Sequence, residues 1–206
     1  MTNLQNSQTG ASEIAAITID ESQQSNPALA DLDEELKWAD SYSRLPALLN
    51  FWGWHNARGV IQDTEMRNHF FRCLGDEWSG CDNISSGGHY LDRVFRRAKR
   101  PDLDGMMTEN ERAAFAALPK TITAYRGAYP INAAGFSYTL DKTVAEKFPT
   151  LHRYRISGAT PLLLTVELPK RYCVLKLDRN EQEIVCVNRK AVVVTDTITI
   201  NQEESK

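Results

Sequence analysis

The spacing of apolar residues changes at Pro119, and this change constrains the fold more than any other feature of the sequence. Before Pro119, apolar residues recur three to four positions apart, which is the period of an amphipathic helix. After it, β-branched and alternating segments predominate, which is typical of strands. The predicted strands cover residues 121–125, 161–168, 172–177, 184–187 and 191–200. The sequence therefore predicts an α+β fold, with helices first and mostly antiparallel strands afterwards.

Local signals predict where several helices begin and end. Thr108, followed three residues later by Glu111, has the pattern of a capping box, and the helix that it opens should end before Pro119. Asp141 is the predicted N-cap of a helix over 142–148, the one clear helix among the strands. Pro101 is predicted to end a short basic helix over 90–98.

Composition divides the chain into three segments. Residues 1–27 are rich in Ser, Thr, Asn and Gln and contain no Lys or Arg, so we expect a disordered tail. Residues 28–118 form a predicted helical N-terminal subdomain, and residues 119–202 a strand-rich part of the fold. The net charge is −3, but residues 1–40 carry eight acids and one base, a net of −7, which leaves +4 for the rest. The acidity is therefore concentrated in residues 1–40.

The sequence predicts a cytoplasmic protein. It contains no apolar run of the roughly 18–20 residues that a membrane helix needs. The N-terminus lacks a basic region followed by an apolar core, so no classical signal peptide is expected. The four cysteines form no Cys-x-x-Cys pair, which favours reduced thiols.

Three further groups of residues are interpreted as structural. Five basic residues within 92–100 are more typical of a solvated helix face than of a nucleic-acid surface, so nucleic-acid binding is not expected. His69 and Cys73, with Cys81 and His89 further on, lack a recognised zinc spacing, so core packing is favoured and no metal is expected. The four tryptophans, all in the helical half, are interpreted as packing anchors: Trp38, Trp52, Trp54 and Trp78.

Three short segments of the strand-rich half carry possible chemistry. Arg126-Gly127 ends a predicted strand, where a guanidinium could bind a phosphate and the glycine could let a ligand approach the backbone. Ser137 and Thr139 share one face of a strand, where their hydroxyls could orient a carboxylate or a sugar. Each segment alone is more typical of an ordinary surface turn or a half-exposed strand.

The third segment contains two acids. Glu181 and Glu183 are two positions apart, so on a strand they would share a face. Their charges would repel, which makes the two protonation sites unequal. One glutamate could then act as a fixed anion and the other as a base, although a solvated strand entrance would show the same pattern.

Taken in order, these three segments resemble the mono-ADP-ribosyltransferase superfamily. The resemblance is to its arginine–serine–glutamate branch, which includes cholera-toxin-like and vertebrate ecto-transferase enzymes and has phage and bacterial relatives. It covers about a third of the chain, residues 122–187. It implies a core of two packed, mostly antiparallel sheets and an effector or toxin of phage or bacterial type. Family members usually have Ser-Thr-Ser, so Tyr138 departs from the pattern.

The resemblance implies roles for the residues that bind NAD. Arg126 would hold its phosphate and ribose region, and Gly127 would face the nicotinamide carboxamide. Ser137 would orient the catalytic glutamate, with Thr139 as the second hydroxyl. The aromatic wall for nicotinamide would come from Phe148 or, as an alternative, from Phe136.

The resemblance also implies the reaction. Glu183 would be the catalytic glutamate and Glu181 the first acid of the pair, which in this family accompanies transfer to arginine. Arg179 and Asn180 would lie in the loop that recognises the acceptor. The implied activity is transfer of ADP-ribose from NAD, as co-substrate, to an arginine of a protein, with no metal. The alternatives are an NAD glycohydrolase using the same site, or an inactive member of the fold that binds a partner.

Overall fold

The computed structural model of the protein describes residues 27–82, 84–178 and 181–200, except for the side chain of Arg153. The segment predicted to be a disordered tail, apart from Pro27, lies outside these residues. So do Arg179 and Asn180, the two residues predicted to recognise an acceptor.

The helices of the described chain precede the strands, with one exception. Two short 3₁₀ turns, Trp78–Gly80 and Arg189–Ala191, matter for the site described below. No helix in the described part of the chain is long and apolar enough to cross a membrane. The α-helices are α1 (Pro27–Trp38), α2 (Arg44–Ala57), α3 (Thr64–Glu77), α4 (Gly88–Phe95), α5 (Arg100–Gly105), α6 (Glu109–Ala116) and, among the strands, α7 (Lys142–Lys147).

The predicted helix starts are confirmed where capping was expected. Thr108 accepts a hydrogen bond from the Glu111 backbone at 3.3 Å, and the Glu111 carboxylate accepts one from the Thr108 backbone at 2.8 Å. Asp141 accepts from the Thr143 backbone at 2.7 Å. Pro101 acts differently from the prediction. The basic helix α4 already ends at Phe95, and Pro101 lies in the first turn of α5, where its missing N–H group costs no hydrogen bond.

Six strands form one antiparallel sheet in the order β4-β5-β2-β1-β3-β6. The strands are β1 (Thr121–Ala128), β2 (Ser137–Thr139), β3 (Leu162–Pro169), β4 (Cys173–Lys176), β5 (Glu183–Cys186) and β6 (Val193–Thr199). The α+β class is therefore confirmed, whereas two separate packed sheets are not observed in the described chain. The sheet is continuous because a single residue pair between β1 and β2, Tyr125 with Thr139, joins β4-β5-β2 to β1-β3-β6.

The helical half and the sheet share one hydrophobic core. Phe70, Phe71 and Leu74 of α3 are fully buried, as are Val174 of β4 and Val185 of β5. All belong to the same contiguous cluster of buried side chains. Because burial of apolar surface is the main favourable term in folding, the two halves stabilise each other.

The tryptophans are only partly the packing anchors that the sequence predicts. Trp52 and Trp78 are buried, in agreement with the prediction. Trp38 and Trp54 are 75% and 60% exposed, so the prediction is wrong for these two. Their rings have local partners: Trp38 donates to Glu34 at 2.7 Å, and the Arg58 guanidinium lies 3.2 Å from the centre of a Trp54 ring.

A buried ion pair connects the last N-terminal helix to the sheet. Lys176 of β4 donates to the Glu111 carboxylate at 2.9 Å, and both residues are almost inaccessible to solvent. Burial acts to raise the pKa of Glu111, but hydrogen bonds from the Leu177 and Thr108 backbones and from Lys176 outweigh it and lower that pKa. Glu111 therefore both caps α6 and compensates a buried lysine.

We expect Glu111→Ala to lower the free energy of unfolding by about 3–5 kcal/mol, because it leaves Lys176 buried without its counter-charge. Urea unfolding followed by circular dichroism measures this. The matched control is Glu146→Ala, which removes the exposed Lys142–Glu146 pair on α7. The control variant should lose at most about 1 kcal/mol of unfolding free energy. Equal losses in the two variants would contradict the assignment of Lys176 and Glu111 as a stabilising buried ion pair.

Candidate active site

A cleft of about 440 Å³ lies where the two halves of the sheet meet. Its volume is within the range of about 300–1,000 Å³ that is usual for small-molecule sites. Every described residue to which the sequence assigns NAD binding or catalysis lines this cleft: Arg126, Gly127, Ser137, Thr139, Phe148, Glu181 and Glu183. The fold thus brings together side chains from β1, β2, β5, the loop before β5 and the turn after α7.

The Glu183 carboxylate is held by hydrogen bonds from two parts of the chain. Glu183 is the first residue of β5 and lies opposite Thr139 of β2. The Trp78 indole donates to its Oε1 at 3.0 Å, and the Ser137 side chain also hydrogen-bonds it. Burial is the main cause that raises the pKa of Glu183, and the nearby charge of Glu181 raises it further. The hydrogen bonds from Ser137 and Trp78 and the charge of Arg126 act in the opposite direction.

Glu181 reaches the cleft by a route that the sequence did not predict. The strand begins at Glu183, so the prediction that both acids lie on one strand is wrong. Between them Gln182 has a positive φ of 44°, a conformation that is uncommon for residues other than glycine. The turn is stabilised by the Thr139 hydroxyl, which donates to the Glu181 carbonyl at 2.5 Å, and by the Leu140 backbone, which donates to the Gln182 carbonyl at 3.2 Å. Thr139 also accepts from the Asp141 backbone at 3.0 Å, so this hydroxyl organises the loop.

Arg126 is half-buried and strongly engaged with the backbone. One terminal nitrogen donates to the Ser137 carbonyl at 2.6 Å and the other to the Asn132 carbonyl at 2.9 Å. Burial lowers the pKa of Arg126, while the nearby Tyr138 and Glu183 act to raise it. Its Nε–H is buried without a hydrogen-bond partner in the described part of the chain. The guanidinium therefore forms part of the wall of the cleft.

Gly127 is required by packing. A Cβ atom at this position would lie 1.8 Å from the Ala145 carbonyl oxygen and 2.6 Å from Pro149 Cδ. The missing side chain therefore lets α7 approach β1 closely. The sequence suggested instead that the glycine makes room for a ligand, and although Gly127 lines the cleft, the helix explains why no side chain fits.

Two aromatic residues form a side of the cleft. Phe148 and Tyr154 stack with ring centroids 4.4 Å apart and an angle of 16° between their planes. Phe136 also borders the cleft, but it is buried and packs against Trp78 and Phe95 in the core. Of the two aromatic residues predicted for a nicotinamide wall, Phe148 is thus the better placed.

Sequence reasoning missed Trp78, Tyr154 and Arg189, which also line the cleft. Trp78 comes from the 3₁₀ turn after α3, and Arg189 forms an ion pair with Asp92 of α4. The Arg189 guanidinium lies 4.6 Å from the centre of the Phe136 ring. No local pattern around these residues marks them as functional, because the contacts that bring them to the cleft are long-range.

One group of residues in the helical half has metal-ligand chemistry. Asp33, His69 and Cys73 place an oxygen, a nitrogen and a sulfur within 4.8 Å of one another. Burial raises the pKa of the Cys73 thiol to about 12, with the charge of Asp33 as the next cause. The thiol is therefore protonated at neutral pH and donates to Asp33 at 3.6 Å, while His69 Nε2 lies 2.8 Å from the same carboxylate. These contacts account for the arrangement, and the group shares no residue with the cleft.

Comparison of the chain with protein-family models, curated proteins and solved structures gave no match. Any functional assignment therefore depends on the residues of the cleft and their geometry. Chemically, the cleft offers a half-buried carboxylate, a second carboxylate nearby, a half-buried guanidinium and an aromatic side. Such a set can stabilise a cationic transition state and remove a proton from an attacking group.

The raised pKa of Glu183 has a consequence for stability. The folded protein binds the Glu183 proton more tightly than the unfolded chain does. This contribution to stability is therefore fully present below the unfolded value, near 4.5, and is lost as the pH rises through the higher folded value. Glutamine does not titrate, so Glu183→Gln does not lose stability in this way as the pH rises. At pH 7 we therefore expect the variant to be more stable than the wild type.

Urea unfolding at a series of pH values measures this difference. The stability gained by Glu183→Gln should grow as the pH rises from about 4.5 and become constant above the folded pKa of Glu183. The control is Glu167→Gln, which changes an exposed residue on β3. A gain that does not vary with pH would contradict burial as the cause of the raised pKa.

Proposed function

We propose that the protein is a mono-ADP-ribosyltransferase that transfers ADP-ribose from NAD to an arginine side chain of a protein and releases nicotinamide. The observation that carries the proposal is the convergence of Arg126, Ser137 and Glu183 in one cleft. These are the residues on which the family resemblance depends, and they are distant in sequence. Their convergence is a condition that a chance motif would not be expected to meet.

The chemistry requires an anion at the position of Glu183. Breaking the bond between nicotinamide and ribose leaves the bonding electrons on nicotinamide and an oxocarbenium-like cation on the sugar. A fixed carboxylate stabilises that cation, as in glycoside cleavage. Hydrogen bonds from Ser137 and Trp78 keep the Glu183 carboxylate in one orientation and lower its pKa, which favours the ionised form.

The acceptor then attacks the sugar carbon. A guanidinium is a poor nucleophile until it loses a proton, and Glu181 lies at the cleft beside Glu183. In our proposal Glu181 binds the incoming guanidinium and takes its proton as the new carbon–nitrogen bond forms. The adjoining residues Arg179 and Asn180 are proposed to contact the acceptor protein.

The cleft suggests how NAD would lie. Nicotinamide would stack on Phe148 with its ribose toward Glu183, and Arg126 lines the same cleft. The single residue pair between β1 and β2 supports a related proposal about the fold. The two three-stranded halves would correspond to the two packed sheets of an ADP-ribosyltransferase core, with the cleft at their junction.

We expect Glu183→Gln to reduce both NAD cleavage and transfer by about 10²–10³-fold or more, because an amide cannot stabilise the developing cation. Glu181→Gln should lose transfer to arginine but retain NAD hydrolysis. Incubation with labelled NAD and a simple guanidine acceptor measures both activities, and the exposed Glu167→Gln is the control.

The same assay distinguishes the alternatives. Wild-type protein that releases ADP-ribose without labelling any acceptor would be a glycohydrolase. NAD that remains intact, also with cell lysate as a source of acceptor, would exclude catalysis and leave a binding protein. Transfer that is unchanged in Glu181→Gln would exclude Glu181 as the base for arginine.

Trp78 gives a second test, through the pH dependence of the reaction. The Trp78 hydrogen bond lowers the pKa of Glu183, so in Trp78→Phe this pKa should rise. The acid limb of the pH profile for NAD cleavage should then move to higher pH. Trp52→Phe is a matched control, since Trp52 is also buried but packs against Phe70 and Phe71, away from the cleft. Equal shifts in the two variants would show a general effect of destabilisation.

A further inference from the structure

A groove of about 1130 Å³ lies between α2 and α4. It shares no lining residue with the candidate active site. Its floor is apolar and includes Leu45, Leu49 and Val94, while two aromatic side chains at the edge, Trp54 and Tyr90, are 60% and 50% exposed. A groove of this kind can bury the apolar residues of a polypeptide segment.

The charged residues that line the groove are all basic. Four arginines line it and no aspartate or glutamate does: Arg58, Arg93, Arg96 and Arg97. Among the described residues, none of these four forms an ion pair with a carboxylate. Three arginines elsewhere on the helices do form such pairs: Arg44 with Glu77, Arg67 with Asp102 and Arg100 with Asp104. The groove therefore fits a ligand that combines apolar and acidic residues.

One segment of this chain has that composition. Residues 13–21 have Glu13 at one end, Asp20 and Glu21 at the other, and a centre that contains three isoleucines and two alanines. The segment carries a charge of −3, and no Lys or Arg occurs anywhere in residues 1–27. We propose that residues 13–21 bind in the groove between α2 and α4 of the same molecule.

The connection to α1 limits how far the segment can reach. A five-residue connection joins α1 to α2 and the two helices pack together, so the chain reverses direction and Pro27 lies toward the end of α2 at Ala57. Ala57 and Arg58 border the groove. The five residues from 22 to 26 can span about 17 Å when extended. Attachment to the same chain also gives the segment a high effective concentration at the groove.

The ionic part of the interaction should depend on salt. Exposed ion pairs contribute up to about 1 kcal/mol each and are screened at high ionic strength. Three such pairs, together with the apolar contacts, give a reversible interaction. Removing the charges of the segment should weaken it by a measurable amount.

Photo-crosslinking of the full-length protein tests the proposal. A benzophenone amino acid in place of Tyr90 should crosslink to residues 13–21 upon irradiation, as identified by mass spectrometry. The same amino acid in place of Val193, which is exposed on β6, should not. A mixture of ¹⁴N- and ¹⁵N-labelled protein should yield crosslinks only within one chain.

The matched variant combines Glu13→Lys, Asp20→Lys and Glu21→Lys, at positions outside all of the described packing contacts. It should lower the crosslink yield at least about fivefold, and 0.5 M salt should lower the wild-type yield in the same direction. Failure of residues 13–21 to crosslink, or a yield unchanged in the triple variant, would overturn the proposal. So would crosslinks between two copies of the chain, or displacement of the segment by a single-stranded oligonucleotide, which would assign the groove to a second copy or to nucleic acid. None of these outcomes depends on whether the protein cleaves NAD.

Discussion

A carboxylate removed from solvent needs compensation, and in this protein Glu183 obtains it from three separate parts of the chain. Ser137 comes from β2, Arg126 from β1 and Trp78 from the turn after α3. An unpaired buried charge would cost several kcal/mol, so these contacts and the fold are interdependent. The helical half is therefore part of the candidate site, because without Trp78 the carboxylate would lose one of its two side-chain hydrogen bonds.

A charge on the neighbouring strand β4 is also compensated by a residue from another part of the chain. Lys176 lies directly opposite Glu183 in the β4–β5 ladder, and its partner Glu111 belongs to α6. Two acids thus lie on either side of β4, and each depends on a residue outside its own element. The helical half contacts the sheet through both, which explains why helices that precede the sheet in sequence share its core.

Features set by local chemistry were predictable from sequence, and features set by long-range packing were not. The caps at Thr108 and Asp141, the α+β class and the motif residues Arg126, Ser137 and Glu183 all follow from short patterns. The left-handed Gln182 does not, because its conformation results from hydrogen bonds of Thr139 and Leu140 to the loop. The structural need for Gly127 appears only when α7 packs on β1.

The single residue pair between β1 and β2 has a consequence for how the molecule opens. Eight residue pairs join β1 to β3 and four join β4 to β5, but one joins the two halves. Proteins open locally in cooperative units, and a boundary with few backbone hydrogen bonds is where such units separate. The halves of the sheet are therefore expected to exchange their amide hydrogens as two units. Between them, the width of the cleft is set by side chains, which a bound ligand can rearrange without breaking either ladder.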